Sequence, residues 1–185
     1  MPSNPETIPA LALESMVLPE NLEPDNPLWR FALIFWQDSL AQETCLALQN
    51  EGWSVTRILC AGWLALNGRI YSGFEDATVT EWRDRVTGSL RTIRLAIPKA
   101  QAAYKALRST LASLELEAER IELALAWRNL MSRNPEHSNM DAGDTLILSN
   151  LAAAAPAVHS GKDTTPLLNT LGDIFSALDP GDQPA

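Results

Sequence analysis

Apolar positions fall into helical spacing from residue 28 onward. LWRFALIFWQ at 28–37 is apolar nearly all round, broken only by Arg30 and Gln37. A helix of that kind must be wrapped on most sides. Asn26-Pro27 before it suits a helix start: Asn accepts from first-turn N–H groups, and Pro lacks a donor that the first turn leaves unpaired anyway. Ser39 and Gln42 read as a capping box for SLAQETCLALQN, which Gly52 ends. Ser54 opens VTRILCAGWLAL, a second stretch with few polar positions, and Asn67-Gly68 stops it. Thr78 and Glu81 form another capping box. Behind them Trp82, Val86, Leu90, Ile93 and Ile97 recur in steps of four, four, three and four until Pro98 interrupts. The longest pattern covers 100–131. Tyr104, Leu107, Leu111, Leu114, Ala118, Ile121 and Leu125 alternate steps of three and four, and Leu116, Leu123, Trp127 and Leu130 add a second apolar edge.

These elements predict an all-α fold, a compact bundle of about five helices over 27–131 with the apolar pair 28–37 and 55–66 at its centre. The flanks differ. Residues 1–26 hold Pro2, Pro5, Pro9, Pro19 and Pro24 with five acids and no base, the composition of an extended or disordered acidic arm. After Met131, SRNPEHSNMDAGD reads as a linker into an acidic tail over 132–185, with short helices expected at 145–155 and 165–178. The second, carrying Leu167, Leu168, Leu171, Ile174, Phe175 and Leu178, either docks on its own bundle or serves as a recognition motif.

Charge narrows the function classes. The formal net charge is −9, which disfavours binding to nucleic acid or anionic lipid through the whole-protein field. Within that acidic chain, residues 81–108 carry Arg83, Arg85, Arg91, Arg94, Lys99, Lys105 and Arg108 against only Glu81 and Asp84. This strip is a solvated face, a set of partners for acids of the same molecule, or a binding surface. Its candidate binding residues are Arg83, Arg91, Arg94, Lys99 and Arg108. Glu115, Glu117, Glu119 and Glu122 make an acidic section on the long helix, expected to be a solvated face.

Catalytic chemistry finds little support. Histidine occurs only at His137 and His159, both in the tail. No H-E-x-x-H, E-x-x-H or C-x-x-C spacing exists, so no metal site is expected. Phosphate loops, dinucleotide fingerprints and nucleophile elbows are absent too, and no cofactor is expected. Cys45 and Cys60 sit in apolar helical patterns with no histidine base in the bundle, as buried thiols of a reducing compartment do. No catalytic residue is assigned. The start of the chain shows neither a basic n-region nor an apolar h-region, and no stretch reaches about 18 apolar residues, so a cytoplasmic protein without a membrane span is expected.

Three of the six tryptophans precede an arginine: Trp29-Arg30, Trp82-Arg83 and Trp127-Arg128. Neighbours on a helix point about 100° apart, so a core tryptophan puts the next residue at the boundary, where an arginine stem packs and its head stays wet. Alternatively the three pairs converge as an anion pocket with aromatic walls.

The run LWRFALIFW, then ETCLALQNEGWSVTRILCAGWLALNGR, EWRDRVTGSLRTIR and LELEAERIE, resembles a family of small proteobacterial proteins described as a domain of unknown function. Its pattern has a leading LW-x-F, a C-L-x-L-Q run, a W-L-x-x-x-G ending, a W-R-x-x-V-x-x-L-R-x-x-R helix and a closing L-x-x-E-x-E segment. The resemblance covers about residues 27–125. Gly88-Ser89 stand where the pattern carries a proline before Leu-Arg, and the C-terminal tail is longer than the family's. The resemblance implies a cytoplasmic helical protein of a Gram-negative bacterium and supplies no activity, cofactor or catalytic residue.

The expected function is a non-enzymatic interaction or adaptor protein that uses the basic face of 81–108. An acidic protein partner suits it better than nucleic acid, and its own acidic tail is a second candidate occupant. The alternative is a small-molecule binding bundle with an apolar cavity and an arginine at its mouth. Oligomeric state is left open.

Overall fold

A computed structural model describes residues 15–138, 143–158 and 161–178. The fold is all-α and compact, and the described residues form no strand; the sole β-type pairing among them is an isolated bridge between Arg69 and His137. In chain order the helices are α1 (Pro27–Phe35), α2 (Ser39–Asn50), α3 (Val55–Leu66), α4 (Ala77–Trp82), a π turn (Arg83–Thr87), α5 (Gly88–Ala96), a 3₁₀ turn (Ala102–Tyr104), α6 (Lys105–Arg133), α7 (Asp144–Ala153) and α8 (Thr165–Ala177).

Local chemistry accounts for the starts and stops. Asn26 Oδ1 accepts from the Trp29 amide and Pro27 opens α1. Ser54 Oγ caps α3 through the Arg57 amide. Gly52 and Gly68 take φ of +90° and +64°, the left-handed region that closes a helix at least cost with glycine. Two caps differ from the expected boxes. Asp38 caps α2, its carboxylate accepting from the Leu40 and Ala41 amides, and Asp76 caps α4 through Thr78. A carboxylate at the N-cap outcompetes the hydroxyl that follows because it also meets the positive helix end with full charge.

The core sits where α1, α3, α7, α8 and the C-terminal half of α6 meet. Phe31, Phe35 and Phe175 stack, with the Phe35 and Phe175 centroids 4.9 Å apart. Gly62 of α3 permits that stack: a Cβ there would lie 2.4 Å from Phe175 Cζ. Trp63 meets Trp127 edge to face at 5.0 Å. The C-terminal helices dock on the bundle, α7 on α3 and α8 on α7 and α2, and fully bury Leu146, Leu151, Leu171 and Phe175. The expected bundle over 27–131 therefore lacks part of its own core.

Two polar devices fix α7. Asn150 is buried; its Oδ1 accepts from the Tyr71 amide, and its Nδ2 donates to the carbonyls of Ala61 and Arg69. Arg57 donates to the carbonyls of Ala153, Ala154 and Ala155, satisfying the acceptors at the negative end of α7. Within the arm, Leu18 and Leu22 pack on the core and Arg120 Nε holds the Pro24 carbonyl. Residues 1–14 and His159 lie outside the described residues.

Candidate functional site

The expected basic strip lies on α4, the π turn, α5 and the start of α6. After the turn at Pro98 the chain doubles back, so α5 packs against α6 as a helical hairpin. The structure puts the arginines of the strip to work inside the molecule.

Arg83 enters from the π turn, a wider coil closed by the Gly88 amide donating to the Arg83 carbonyl. Its guanidinium holds Glu75 with two bonds, Nη1 at 2.7 Å and Nη2 at 2.5 Å, and donates from Nε to Glu122 at 2.7 Å. Glu122, whose side chain is 3% exposed, accepts also from Thr56 Oγ1 at 2.6 Å. Burial alone would lower the Arg83 pKa; the bonds and charges of Glu75 and Glu122 outweigh it and raise it. Every carboxylate here has a donor, as a buried ion pair requires.

Arg91 bridges Glu115 and Glu119 at 2.8 and 2.7 Å, and Arg94 also grips Glu115 through Nε and Nη2. Burial works to raise the Glu115 carboxyl, and the bonds from Arg94 and Arg91 outweigh it, leaving it below the usual glutamate value. Arg108 Nη1 donates to the carbonyls of Arg94 and Ile97, closing the C-terminal end of α5. The acidic section is thus only partly a solvated face: Glu117 is exposed, while Glu115 and Glu122 are buried against arginine.

Two cations of the hairpin stay outside this network. Lys99 in the turn and Lys105 at the start of α6 are exposed, and among the described residues neither has an ion-pair partner. Nor does the chain carry any acid between Arg85 and Glu115. The distal hairpin is therefore a cationic tip. It is also apolar: α5 buries no residue, and Ile93 (51%), Leu107 (51%) and Leu114 (50%) stand exposed, with Leu95 and Tyr104.

The Trp-Arg pairs are given different surroundings. Arg30 pairs with Asp25, and Trp29 is covered by Arg120 at 5.7 Å. Trp82 Nε1 donates to the Ala118 carbonyl, and Arg83 goes to Glu75 and Glu122. Trp127 and Arg128 line an open groove of about 780 Å³ with Glu20, Asn21, Glu23, Ala124, Met131 and Ser132; neither Arg30 nor Arg83 reaches it. Its two glutamates give the groove acidic walls.

Both thiols are free and buried. Burial pushes Cys45 up to about 12, and burial, chiefly, raises Cys60 further. A thiolate nucleophile is disfavoured at both. Among the described residues no group of three His, Cys, Asp or Glu stands together as a metal-ion site, and no helix is long and apolar enough to cross a membrane.

Fold and site together define an all-α protein with an aromatic core and a cationic helical hairpin. The chain belongs to the DUF2390 family, described as a protein of unknown function, whose model matches residues 27–125. That match ends inside α6 and leaves out α7 and α8. No curated protein and no solved structure matches the chain.

Sequence reasoning missed Glu75, Thr56 and Asn150. Glu75 lies between two helical patterns and Asn150 in a stretch expected as a short helix, where one polar residue carries no periodic signal. The hairpin register did carry one. Arg83 with Glu122, Arg91 with Glu119 and Arg94 with Glu115 step forward along one limb and back along the other.

Proposed function

We propose that this protein is a non-enzymatic interaction module and that its α5–α6 hairpin is the contact surface for an acidic protein partner. One observation carries the reading: the hairpin exposes large apolar side chains beside two lysines that have no ion-pair partner among the described residues, while Arg83, Arg91 and Arg94 are closed on carboxylates of the same chain. Of the five strip residues, Lys99 is then a direct contact. Arg83, Arg91, Arg94 and Arg108 build the platform. Lys105 joins Lys99 at the tip. Nucleic acid fits less well, because a net charge of −9 repels phosphate and the exposed leucines offer a phosphate backbone nothing.

The tail is a poor occupant of this surface. Its helices α7 and α8 lie against α3 and α2. Removing 133–185 would strip Phe175 and Leu171 from the core rather than uncover the strip.

In-cell photocrosslinking tests the proposal. A crosslinker at exposed Ser109 should capture an acidic protein, one at exposed Leu46 of α2 should not, and Lys99→Glu with Lys105→Glu should abolish the capture. Equal capture by the charge-reversed variant would refute the reading. Native mass measurement of the purified chain addresses the alternative: a stoichiometric small mass, lost on Trp127→Ala in the groove, would favour the small-molecule binder.

A further inference from the structure

The apolar stripe of α6 is continuous in sequence and divided in structure. Its C-terminal half, from Ala118 to Leu130, is covered by α1 and α3. Those helices are short. At 1.5 Å per residue α1 runs roughly 14 Å and α3 roughly 18 Å, against roughly 44 Å for the 29 residues of α6. Beyond their reach the same stripe continues through Leu114, Leu111, Leu107 and Tyr104. There it is flanked by the stripe of α5, with Leu90, Ile93 and Ile97. Here α5 packs against α6 in their place, yet Tyr104, Leu107, Leu114 and Ile93 still stand about half out in solvent.

We infer that the distal α5–α6 seam receives an acidic amphipathic helix from another protein, which continues along α6 the packing that α1 and α3 give in the body. The inference rests on the proposed function and names the form of its partner. Steps of three and four along α6 are the spacing into which a helix, not a strand, sets its side chains. The open section, from Tyr104 to Leu114, spans roughly 15 Å, the length of about three helical turns.

Charge selects among occupants. Residues 86–114 hold no acid; of their five cations Arg91 and Arg94 are closed on Glu115 and Glu119, and Lys99, Lys105 and Arg108 have no carboxylate partner among the described residues. A second copy laid on the seam would oppose this set with an identical one, a like-charge arrangement that costs affinity. A helix with leucines on one face and glutamates beside them meets both the seam and the lysines. Anionic bilayers share that chemistry, but the whole-protein charge of −9 opposes approach to them.

The experiment uses the full chain and fluorescence titration with three probes: a designed helix of at least about three turns with a leucine face and glutamate flanks, a scramble of the same composition, and polyglutamate. The designed helix should bind at least about tenfold tighter than the scramble, the loss expected when central apolar anchors are misplaced. Ile93→Ser with Leu107→Ser should remove that advantage. Circular dichroism of the variant should be unchanged, since both positions are half exposed. Equal binding of helix, scramble and polyglutamate sinks the inference and leaves an acid-binding surface. No binding by any probe sinks the proposed function with it. Concentration-dependent dimerisation abolished by Leu107→Ser would assign the seam to a second copy. Tighter binding to vesicles of anionic phospholipid or to duplex DNA than to the helix would assign it to those ligands instead.

Discussion

Along α6 one apolar stripe meets two fates. From Ala118 to Leu130 its side chains are buried or half-buried against α1 and α3, with Trp127 set edge-on to Trp63. Nearer its start Tyr104, Leu107 and Leu114 stand half exposed, and α5 is fastened to α6 largely through arginine and glutamate. The body is therefore held chiefly by apolar burial, which is insensitive to protonation. The hairpin is held by ion pairs and carbonyl caps, which are not. A region built to stay together can bury its leucines; a region built to be met by something else keeps them available. Paired substitutions in the two regions break or sharpen this contrast.

The largest difference should come from removing one large apolar side chain on each side. Phe175 is fully buried among Phe31, Phe35 and Gly62, so Phe175→Ala leaves a cavity and should cost about 3–5 kcal/mol in denaturant unfolding. Leu107 is 51% exposed, and Leu107→Ala should cost under about 1 kcal/mol. Comparable losses would mean that the hairpin seam is a core in solution, and the division drawn here would fall.

How far the chain announced this arrangement depends on which residues spoke through periodicity. Helices α1, α3 and α6 were legible because their apolar positions repeat every three or four residues and because Asn26, Ser54 and Gly52 punctuate them with a known backbone chemistry. The docking of α7 and α8 was not, since it depends on one glycine (Gly62) making room for one ring and on Asn150 reaching three backbone groups. Arg83, Arg91 and Arg94 stood out as a basic face because a single helix was being read. Pro98 folds that face onto the acids of α6, so the acidic section expected to be solvated takes up arginines of the strip, one of the three readings left open for it. Lys99, in the turn itself, escapes that pairing.

A smaller effect is expected where the two regions join. Glu122 accepts from Arg83 and Thr56 with a side chain that is 3% exposed. Glu122→Gln keeps the shape and removes the charge, leaving Arg83 with Glu75 alone. Breaking one partner of a buried pair costs about 3–5 kcal/mol. Because Arg83 keeps Glu75 and is 21% exposed, about 2 kcal/mol is expected here, measured by thermal unfolding. Glu119→Gln, at the solvent edge of the Arg91 bridge, should cost under about 1 kcal/mol. If both variants melt alike, Glu122 is not the joint between the body and the hairpin.

The smallest and most local effect is set by acid. Glu115 has its folded-state pKa below the usual value of about 4.5, because Arg94 and Arg91 outweigh its burial. A carboxyl depressed on folding contributes its stabilisation in full above the unfolded value and loses it as pH falls through the folded one. Protonation also leaves Arg91 and Arg94 side by side without the carboxylate that joined them, while Arg108 holds only the two carbonyls at the end of α5. Hydrogen exchange followed from pH 6 downward should thus show α5 amides losing protection once the pH drops below about 4.5, with α3 amides still protected. Glu115→Gln should abolish that difference by opening α5 already at pH 6. Simultaneous loss in α3 and α5 would show one cooperative unit, with no hairpin held separately by its charges.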